Sequence, residues 1–170
     1  MTTLDTFFVV LYWINMVTIS IITLAGIPQL FFLLFSWLPR RHWRPAKTFH
    51  KIAIIIPAHN EEDVVGTTVK YVMNELDYPK DRYQVYVVAH NCKDQTAEVA
   101  KNAGAIVLTL NDPDPKHARP AYPLAYGYKT VMAQDPDAEL FIHLDADNIP
   151  CKSFLKEMNN SFDAGAPIIR

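Results

Sequence analysis

The chain begins with a long apolar run that carries no charged side chain. Residues 6–39 contain no Asp, Glu, Lys or Arg, and the run is interrupted by Gly26, Pro28 and Gln29. A helix needs about 20 apolar residues to cross a hydrocarbon core of about 30 Å, so the run is long enough for one span and too short for two. The pattern predicts a membrane anchor helix over residues 1–39, either one kinked helix or a span followed by a short interfacial segment.

The pattern changes at residue 51, where short apolar runs alternate with amphipathic ones. Four runs rich in β-branched and aromatic residues predict strands, over 51–56, 83–89, 105–110 and 139–144. Helical spacing predicts four helices, over 60–76, 94–102, 124–134 and 153–162. This alternation predicts an α/β fold with a parallel, doubly wound sheet, whose ligands bind beyond the carboxyl ends of the strands.

Charge predicts how the anchor is oriented. Asp5 is the one charged residue before the apolar run, whereas the segment 40–50 after it carries four Arg and Lys residues. The excess of positive charge predicts a basic juxtamembrane linker on the cytoplasmic side and an N-terminus outside. Cys92 and Cys151 match no metal or redox motif and agree with a reducing compartment. A net charge of −2 without a polybasic tract gives no indication of a nucleic-acid partner.

Two acidic residues follow the fourth predicted strand directly. In Asp145-Ala146-Asp147 the carboxylates are two residues apart, so they point to the same side if the extended backbone continues. Two acids this close repel each other unless a cation or a proton lies between them. Hard oxygen ligands suit Mg²⁺ or Mn²⁺, and such ions complete their shell with substrate phosphates. The alternative is that Asp147 or Asn148 only begins a turn before Pro150.

The first two predicted strands also end in polar residues. The first continues as PAHNEE (57–62) and the second as AHNCKD (89–94). The chain contains neither GxGxxG nor GxxxxGK[ST], which argues against a nicotinamide site and a Walker-type phosphate loop. Asn60 and Asp94 have the side chains and the positions of helix N-caps. His59 and His90 are either solvated loop histidines or contacts to a nucleotide.

Three segments together resemble the family 2 glycosyltransferases. They are IIIPAHNEE (54–62), VVAHNCKDQTAEVAKNAGA (87–105) and FIHLDADNIP (141–150), in this order. The resemblance runs from about residue 51 to the end of the chain, and it implies a GT-A fold and a nucleoside-diphosphate sugar donor, with UDP as the family-level expectation. It implies that Asp145 and Asp147 hold Mg²⁺ or Mn²⁺ against the diphosphate. It also implies a nucleotide-sugar site that comprises Pro57, Ala58, His59, Glu61, His90, Asn91, Asp94 and Asp145.

The resemblance further implies a location, and the membrane helix suits a lipid or polysaccharide acceptor. Such relatives often act at the cytoplasmic face of the cell membrane, so residues 51–170 are expected to be the nucleotide-sugar-binding part of an enzyme anchored by residues 1–39. The expected reaction is an inverting, metal-assisted transfer to a lipid or polysaccharide acceptor. A metal on the diphosphate offsets the charge that develops on the leaving nucleotide.

The chain departs from the family pattern at three places. His90 stands where relatives commonly carry an Asp that reads the base. The stretch 120–127 lacks the lysine of a Lys-Gly pair, for which a basic residue within 116–119 could substitute. The chain stops at Arg170 inside an expected strand, which predicts a truncated GT-A domain. The general base is therefore expected beyond Arg170, and no catalytic residue is assigned.

Two alternatives stay open. The three departures also fit a non-catalytic, truncated glycosyltransferase-like membrane protein that keeps the fold without turnover. LDADNI (144–149) is in addition close to the motif of DxD phosphatases and phosphotransferases, in which the first Asp is a nucleophile. Those enzymes need further lysine and acidic motifs after this strand, and few residues follow Asp147.

Overall fold

The structure is a computed structural model that describes residues 3–36, 43–114, 119 and 121–166. The chain divides into two units, residues 1–42 and residues 43–170. In its described residues the first unit is a helix, and the second is an α/β domain.

Helix α1 (Thr3–Phe35) has 33 residues. At 1.5 Å per residue this is about 50 Å, more than the hydrocarbon core of a bilayer. Within the described residues it is the one helix that is long and apolar enough to cross a membrane, by length and composition. The hydroxyls of Thr18 and Ser20 donate to carbonyls four residues earlier, each at 2.8 Å, so the helix itself satisfies these polar groups.

The interruption in the apolar run does not end this helix. Pro28 lies inside α1, and the helical backbone continues through Gly26 and Gln29 to Phe35. Of the two alternatives for residues 1–39, the described residues therefore have the continuous helix. Residues 37–42, which include the start of the predicted basic linker, lie outside the described residues.

Four parallel strands form the sheet of the second unit: β1 (Ile52–Ala58), β2 (Tyr83–His90), β3 (Ile106–Leu110) and β4 (Leu140–His143). Their order is β3-β2-β1-β4, and all three pairings are parallel. The chain moves outward from β1 to β3 and then returns to the other side of β1. The predicted parallel sheet is thus confirmed, and the reversal of strand order lies between β1 and β4, where such sheets bind ligands.

Helices cover both faces of the sheet. They are α2 (Glu62–Glu75), α3 (Thr96–Asn102), α4 (Ala121–Gln134) and α5 (Phe154–Asp163), with a 3₁₀ turn at Lys80–Arg82. Alternate residues of β1 enter two separate cores: Ile54 and Ile56 pack with α2, α3 and α5, and Ile55 packs with α4. Burial of each such side chain contributes about 1.5–3 kcal/mol, which explains why β1 is continuously apolar.

Helix α4 begins three residues before its predicted start and lies close against the sheet at Gly127. A Cβ atom there would be 2.8 Å from Val88 and 2.9 Å from Ile55, so a glycine is needed for this approach. The close packing holds the first turn of α4, with Pro123, beside the carboxyl ends of the strands.

Strand β1 continues two residues beyond its predicted end, through Pro57 to Ala58. Proline has no N–H to donate, which disfavours it inside a sheet. Here β4 pairs only with Ile52–Ile55, so Pro57 has a neighbouring strand on one side alone. The extension pairs Ala58 with Ala89. The residues that follow them, His59 and His90, therefore lie beside each other.

The segment before β1 is attached to α5 by polar side chains. Asn159, which is 1% exposed, accepts from the N–H of His50 at 3.0 Å and donates to the carbonyl of Thr48 at 2.8 Å. Asn160 accepts from the N–H of Ala46 at 2.8 Å. These side chains satisfy a non-helical backbone that would otherwise need water. The described part of the linker is therefore fixed to the domain.

The His50 imidazole joins two carboxylates at this contact. Its Nδ1 is 2.7 Å from Glu139 Oε2, and its Nε2 is 3.3 Å from Asp163 Oδ1. The hydrogen bond to Glu139 raises the pKa of His50 above 6.5, against the lowering effect of burial, and Asp163 adds to the increase. The same bond lowers the pKa of Glu139 below 4.5.

We predict that this pair makes folding stability depend on pH. A raised histidine pKa contributes stability that is complete below 6.5 and is lost as the pH rises through the folded-state pKa. Because Glu139 is half exposed, the pair is worth at most about 1 kcal/mol. The difference in unfolding free energy between the wild type and His50→Gln should be largest between pH 5 and 6 and should decrease toward pH 9. Thermal and denaturant unfolding of the full chain in detergent measures it.

The matched control is the Glu139→Gln background, in which His50→Gln should show a smaller slope, due to the remaining contact with Asp163. A difference that stays flat, or that grows with pH, would contradict the assigned pairing.

Candidate functional site

The first two strands end in the same tripeptide. In Ala58-His59-Asn60 the alanine is the last residue of β1, and in Ala89-His90-Asn91 the histidine is the last residue of β2; the two alanines are paired in register. In the described part of the chain, Asn60 (φ 54°) and Asn91 (φ 49°) are the residues other than glycine with a positive φ. Asparagine tolerates this left-handed conformation better than most residues. Each asparagine thus turns the chain away as soon as its strand ends.

A pocket of about 520 Å³ lies at these strand ends. This size is within the range of small-molecule sites. Its walls come from the turns after β1, β2 and β4 and from the start of α4. The lining residues are Pro57, Ala58, His59, Glu61, His90, Asn91, Pro123, Asp145, Ala146 and Asp147.

The pocket brings together every residue of the predicted nucleotide-sugar and metal sites except Asp94. Pro123 and Ala146 line it in addition, and both were missed because neither carries a chemical group that attracts notice in a sequence. Among the basic residues near the missing lysine, Arg119 is exposed, while Lys116 and His117 lie outside the described residues.

Asp94 supports the neighbouring turn instead. Its carboxylate accepts from the Thr96 hydroxyl at 2.6 Å, from the Thr96 N–H at 3.1 Å and from the Glu62 N–H at 3.2 Å. The hydroxyl bond, followed by the two peptide N–H groups, lowers the pKa of Asp94. Thr96, which is fully buried, in turn accepts from the N–H of Glu61 at 2.8 Å. Asp94 and Thr96 therefore hold the turns after β1 and β2 together.

The predicted helix caps need two corrections. The N-cap of α2 is Glu61, not Asn60, and it makes no side-chain capping bond. The left-handed backbone of Asn60 directs its Oδ1 to the N–H of Lys93 in the adjacent loop, at 2.8 Å. The N-cap of α3 is Gln95, although Asp94 just before it does accept from a first-turn N–H, as a cap does.

The backbone does not stay extended through the acidic residues after β4. Strand β4 ends at His143, and the chain turns at Ala146-Asp147, where the N–H of Asn148 donates to the carbonyl of Asp145 at 3.1 Å. Ala146 is buried, and its carbonyl accepts from the buried Thr68 hydroxyl at 2.6 Å. Both Asp145 and Asp147 nevertheless line the pocket, by way of a fixed turn instead of the period of a strand.

A third carboxylate lies in the same pocket. One oxygen of Glu61, Oε2, is buried and has no hydrogen-bond partner in the described residues. Burial raises the pKa of Glu61, and the charges of Asp147 and Asp145 add to the increase, while the N–H of His59 opposes it. A positive charge between these acids would relieve both the repulsion and the unsatisfied oxygen.

The donor atoms fit a hard divalent cation. Asp145 and Asp147 offer carboxylate oxygens, and a Mg²⁺ or Mn²⁺ ion bound by two carboxylates keeps coordination sites for phosphate and water. Among the described residues, no group of three or more His, Cys, Asp or Glu side chains is arranged to hold a metal ion. The protein side of such a site would therefore be incomplete without a ligand that brings further oxygens. His143 Nε2 is 3.2 Å from Asp145 Oδ1 and orients that carboxylate.

Two curated proteins with similar sequences are YdaM and RfbJ. A probable glycosyltransferase, YdaM of Bacillus subtilis, is 45% identical over 58 residues, which are 34% of this chain and 14% of YdaM. Protein RfbJ of Shigella flexneri is 31% identical over 111 residues, which are 64% of this chain and 74% of RfbJ. The chain thus spans about three quarters of RfbJ but only a small part of YdaM.

Solved structures share the fold. The mannosyltransferase PcManGT from Pyrobaculum calidifontis, in complex with GDP-Man and Mn²⁺, superposes with a TM-score of 0.59 at 20% identity, over 84% of this chain and 41% of PcManGT. This likeness shows the GT-A arrangement of sheet and helices. The family model "Glycosyltransferase like family 2" matches residues 50–169, most of the chain and all of the pocket. The chain belongs to the family 2 glycosyltransferases.

Proposed function

We propose that residues 51–170 bind a nucleoside-diphosphate sugar in the pocket at the strand ends and present its anomeric carbon for transfer. The observation that carries this proposal is the convergence of the Ala-His-Asn turns with Asp145 and Asp147 around one cavity. Pro57, His59, His90 and Asn91 line the pocket from β1, β2 and the turns after them, and Asp145 and Asp147 line it from the turn after β4. A nucleotide sugar has matching parts, a neutral base and a diphosphate that needs a cation.

Each part of the pocket has a separate task in this proposal. Pro57, Ala58, His59, His90 and Asn91 would surround the nucleoside. Asp145 and Asp147 would hold Mg²⁺ or Mn²⁺, and Glu61 would add negative charge behind them. A bound divalent ion would offset the charge that builds up on the leaving diphosphate. Asp94 would act through the turn it supports and not by touching the donor.

The proposed reaction is an inverting transfer to a lipid or polysaccharide acceptor. The acceptor oxygen would form a bond to the anomeric carbon as the bond from that carbon to the diphosphate oxygen breaks, and the acceptor would release its proton to a base. The fixed turns at Asn60, Asn91 and Ala146 favour this step because they hold the donor in one orientation while the acceptor attacks. The family membership supports this chemistry.

We predict that the carboxylates after β4 are needed for metal-dependent donor binding. Calorimetry on the full chain in detergent, with UDP and with GDP, should show tighter binding when Mn²⁺ is present. In Asp145→Asn and in Asp147→Asn this Mn²⁺-dependent gain should fall more than about tenfold, because outer-shell changes alone cost metal sites about 10–100-fold.

Asp137→Asn is the matched control, since Asp137 is exposed and precedes β4 instead of following it. This variant should keep the full increase in nucleotide affinity that Mn²⁺ gives the wild type. Equal Mn²⁺-dependent binding in Asp145→Asn and the wild type would refute the metal assignment.

We also propose that residues 1–39 anchor the protein in the cell membrane with the α/β domain in the cytoplasm. The length and composition of α1 and the basic residues of segment 40–50 support this orientation. An enzyme held in this way would meet a lipid or a growing polysaccharide at the membrane surface while it draws nucleotide sugar from the cytosol.

We predict that Cys151, which is exposed, is labelled by a membrane-impermeant maleimide in inverted vesicles and not in intact cells. The Cys151→Ser variant shows how much of the label is due to the partly buried Cys92. A cysteine introduced at Thr2 should give the opposite result. Labelling of Cys151 from outside intact cells would overturn the orientation.

A further inference from the structure

Each histidine of the paired Ala-His-Asn turns has an asparagine next to it that faces its ring. Asn60 Nδ2 is 3.2 Å from His59 Nε2, and Asn91 Nδ2 is 3.1 Å from His90 Nε2. A neutral imidazole has one nitrogen that donates and one that accepts, and the partner of either nitrogen determines which is which. The orientation of each asparagine amide therefore decides the tautomer of the histidine beside it.

For His59 both ring nitrogens are determined. Asn60 Oδ1 accepts from the peptide N–H of Lys93 at 2.8 Å, so the amide group that faces His59 is the NH₂. An NH₂ can only donate, hence His59 Nε2 accepts. At the other side of the ring Nδ1 is 2.7 Å from the carbonyl oxygen of His90, which can only accept. His59 is therefore the Nδ1–H tautomer, and both of its nitrogens are bonded inside the protein.

The side-chain amide of Asn91, which faces His90, is held by two hydrogen bonds to one residue. Asn91 Oδ1 accepts from the N–H of Asp112 at 2.7 Å, and Asn91 Nδ2 donates to the carbonyl of the same residue at 2.7 Å. If the amide were flipped, its NH₂ would face the N–H of Asp112 and its oxygen would face the carbonyl of Asp112, so both hydrogen bonds would be lost. The second hydrogen of Nδ2 points to His90 Nε2, which must accept it. The ring proton of His90 is thus on Nδ1.

We propose that Asn60 and Asn91 are positioning residues that fix both histidines as Nδ1–H tautomers, so that neither imidazole offers the nucleotide a hydrogen-bond acceptor. His59 can meet a ligand only with its ring face or carbon edge. Any hydrogen bond that His90 Nδ1 makes, to a residue or to a ligand, is a donated one. A carboxylate at position 90 would only accept hydrogen bonds, whereas the Nδ1–H of His90 donates. The ligand part of this inference rests on the proposed donor site, whereas the tautomers do not.

The tautomers are measured directly by ¹⁵N-edited NMR of the histidine rings, on the full chain in detergent micelles without nucleotide. Long-range couplings from the ring C–H protons distinguish a protonated from an unprotonated nitrogen, and His59→Gln and His90→Gln assign the signals. We expect an unprotonated Nε2 in both residues at neutral pH. A protonated Nε2 in either one overturns the inference for that residue.

Isosteric variants test whether the asparagines are the cause. Asn91→Asp replaces the donating NH₂ with an accepting oxygen, so His90 should become protonated at Nε2 while His59 stays unchanged, and Asn60→Asp should do the converse. Asn91→Gly keeps the left-handed backbone without the amide and should give a mixture of tautomers at His90. Asn74→Asp, on the exposed surface of α2, is the control and should change neither ring. A His90 that remains wholly Nδ1–H in both Asn91 variants contradicts the role of Asn91.

Addition of UDP with Mg²⁺ separates this inference from the proposed function. If UDP binds, the ring of His90 should keep its Nδ1–H signal. A bound state in which His90 Nδ1 has lost its proton to act as an acceptor overturns the inference. Failure of UDP to bind counts against the donor site alone, since the free-protein spectra have already decided the tautomers.

Discussion

The parallel pairing of β1 with β2 is the constraint on which the site depends. Alternate residues of both strands pack into two different cores, so a shift of register by one residue would move each side chain out of the core that it fits and into the other. The register that avoids this places Ala58 beside Ala89. The two His-Asn turns then lie side by side, and the contacts that join them follow from that position.

The turns are held by hydrogen bonds between loops more than within them. Thr96 and Asp94 accept from the N–H groups of Glu61 and Glu62 at the start of α2, Asn60 accepts from the N–H of Lys93, and Asn91 accepts from that of Asp112. Each bond satisfies a backbone N–H in a segment that lies outside the regular hydrogen bonding of the sheet and the helices. The part of the pocket formed by the two His-Asn turns is therefore arranged before any ligand arrives, and the carboxylates of Asp145, Asp147 and Glu61, one of whose oxygens is unsatisfied, favour a cation.

Much of this was accessible from the sequence, because the relevant patterns are long or repeated. Continuous β-branched runs separated by amphipathic segments predicted the parallel sheet, and polar residues after three such runs predicted where the pocket lies. The details that were wrong depend on tertiary contacts. Pro57 belongs to β1 because β4 ends early, Asn60 does not cap α2 because Lys93 takes its oxygen, and the chain turns at Ala146 because Thr68 holds its carbonyl. No local propensity contains those partners. The repeated Ala-His-Asn was visible in the sequence, but its consequence for the histidine tautomers required the positions of Lys93 and Asp112.

The central claim is that one cavity binds both the cation and the nucleotide. It is tested most directly by paramagnetic relaxation: Mn²⁺ added together with UDP to the ¹⁵N-labelled chain broadens the amide signals nearest to the ion. The account predicts that signals of residues 145–147 and of Glu61 are lost first, that those of the turns at 58–60 and 89–91 follow, and that signals of 48–50, before the first residue of β1, persist. Broadening centred elsewhere, or broadening at 145–147 that UDP does not strengthen, would contradict it.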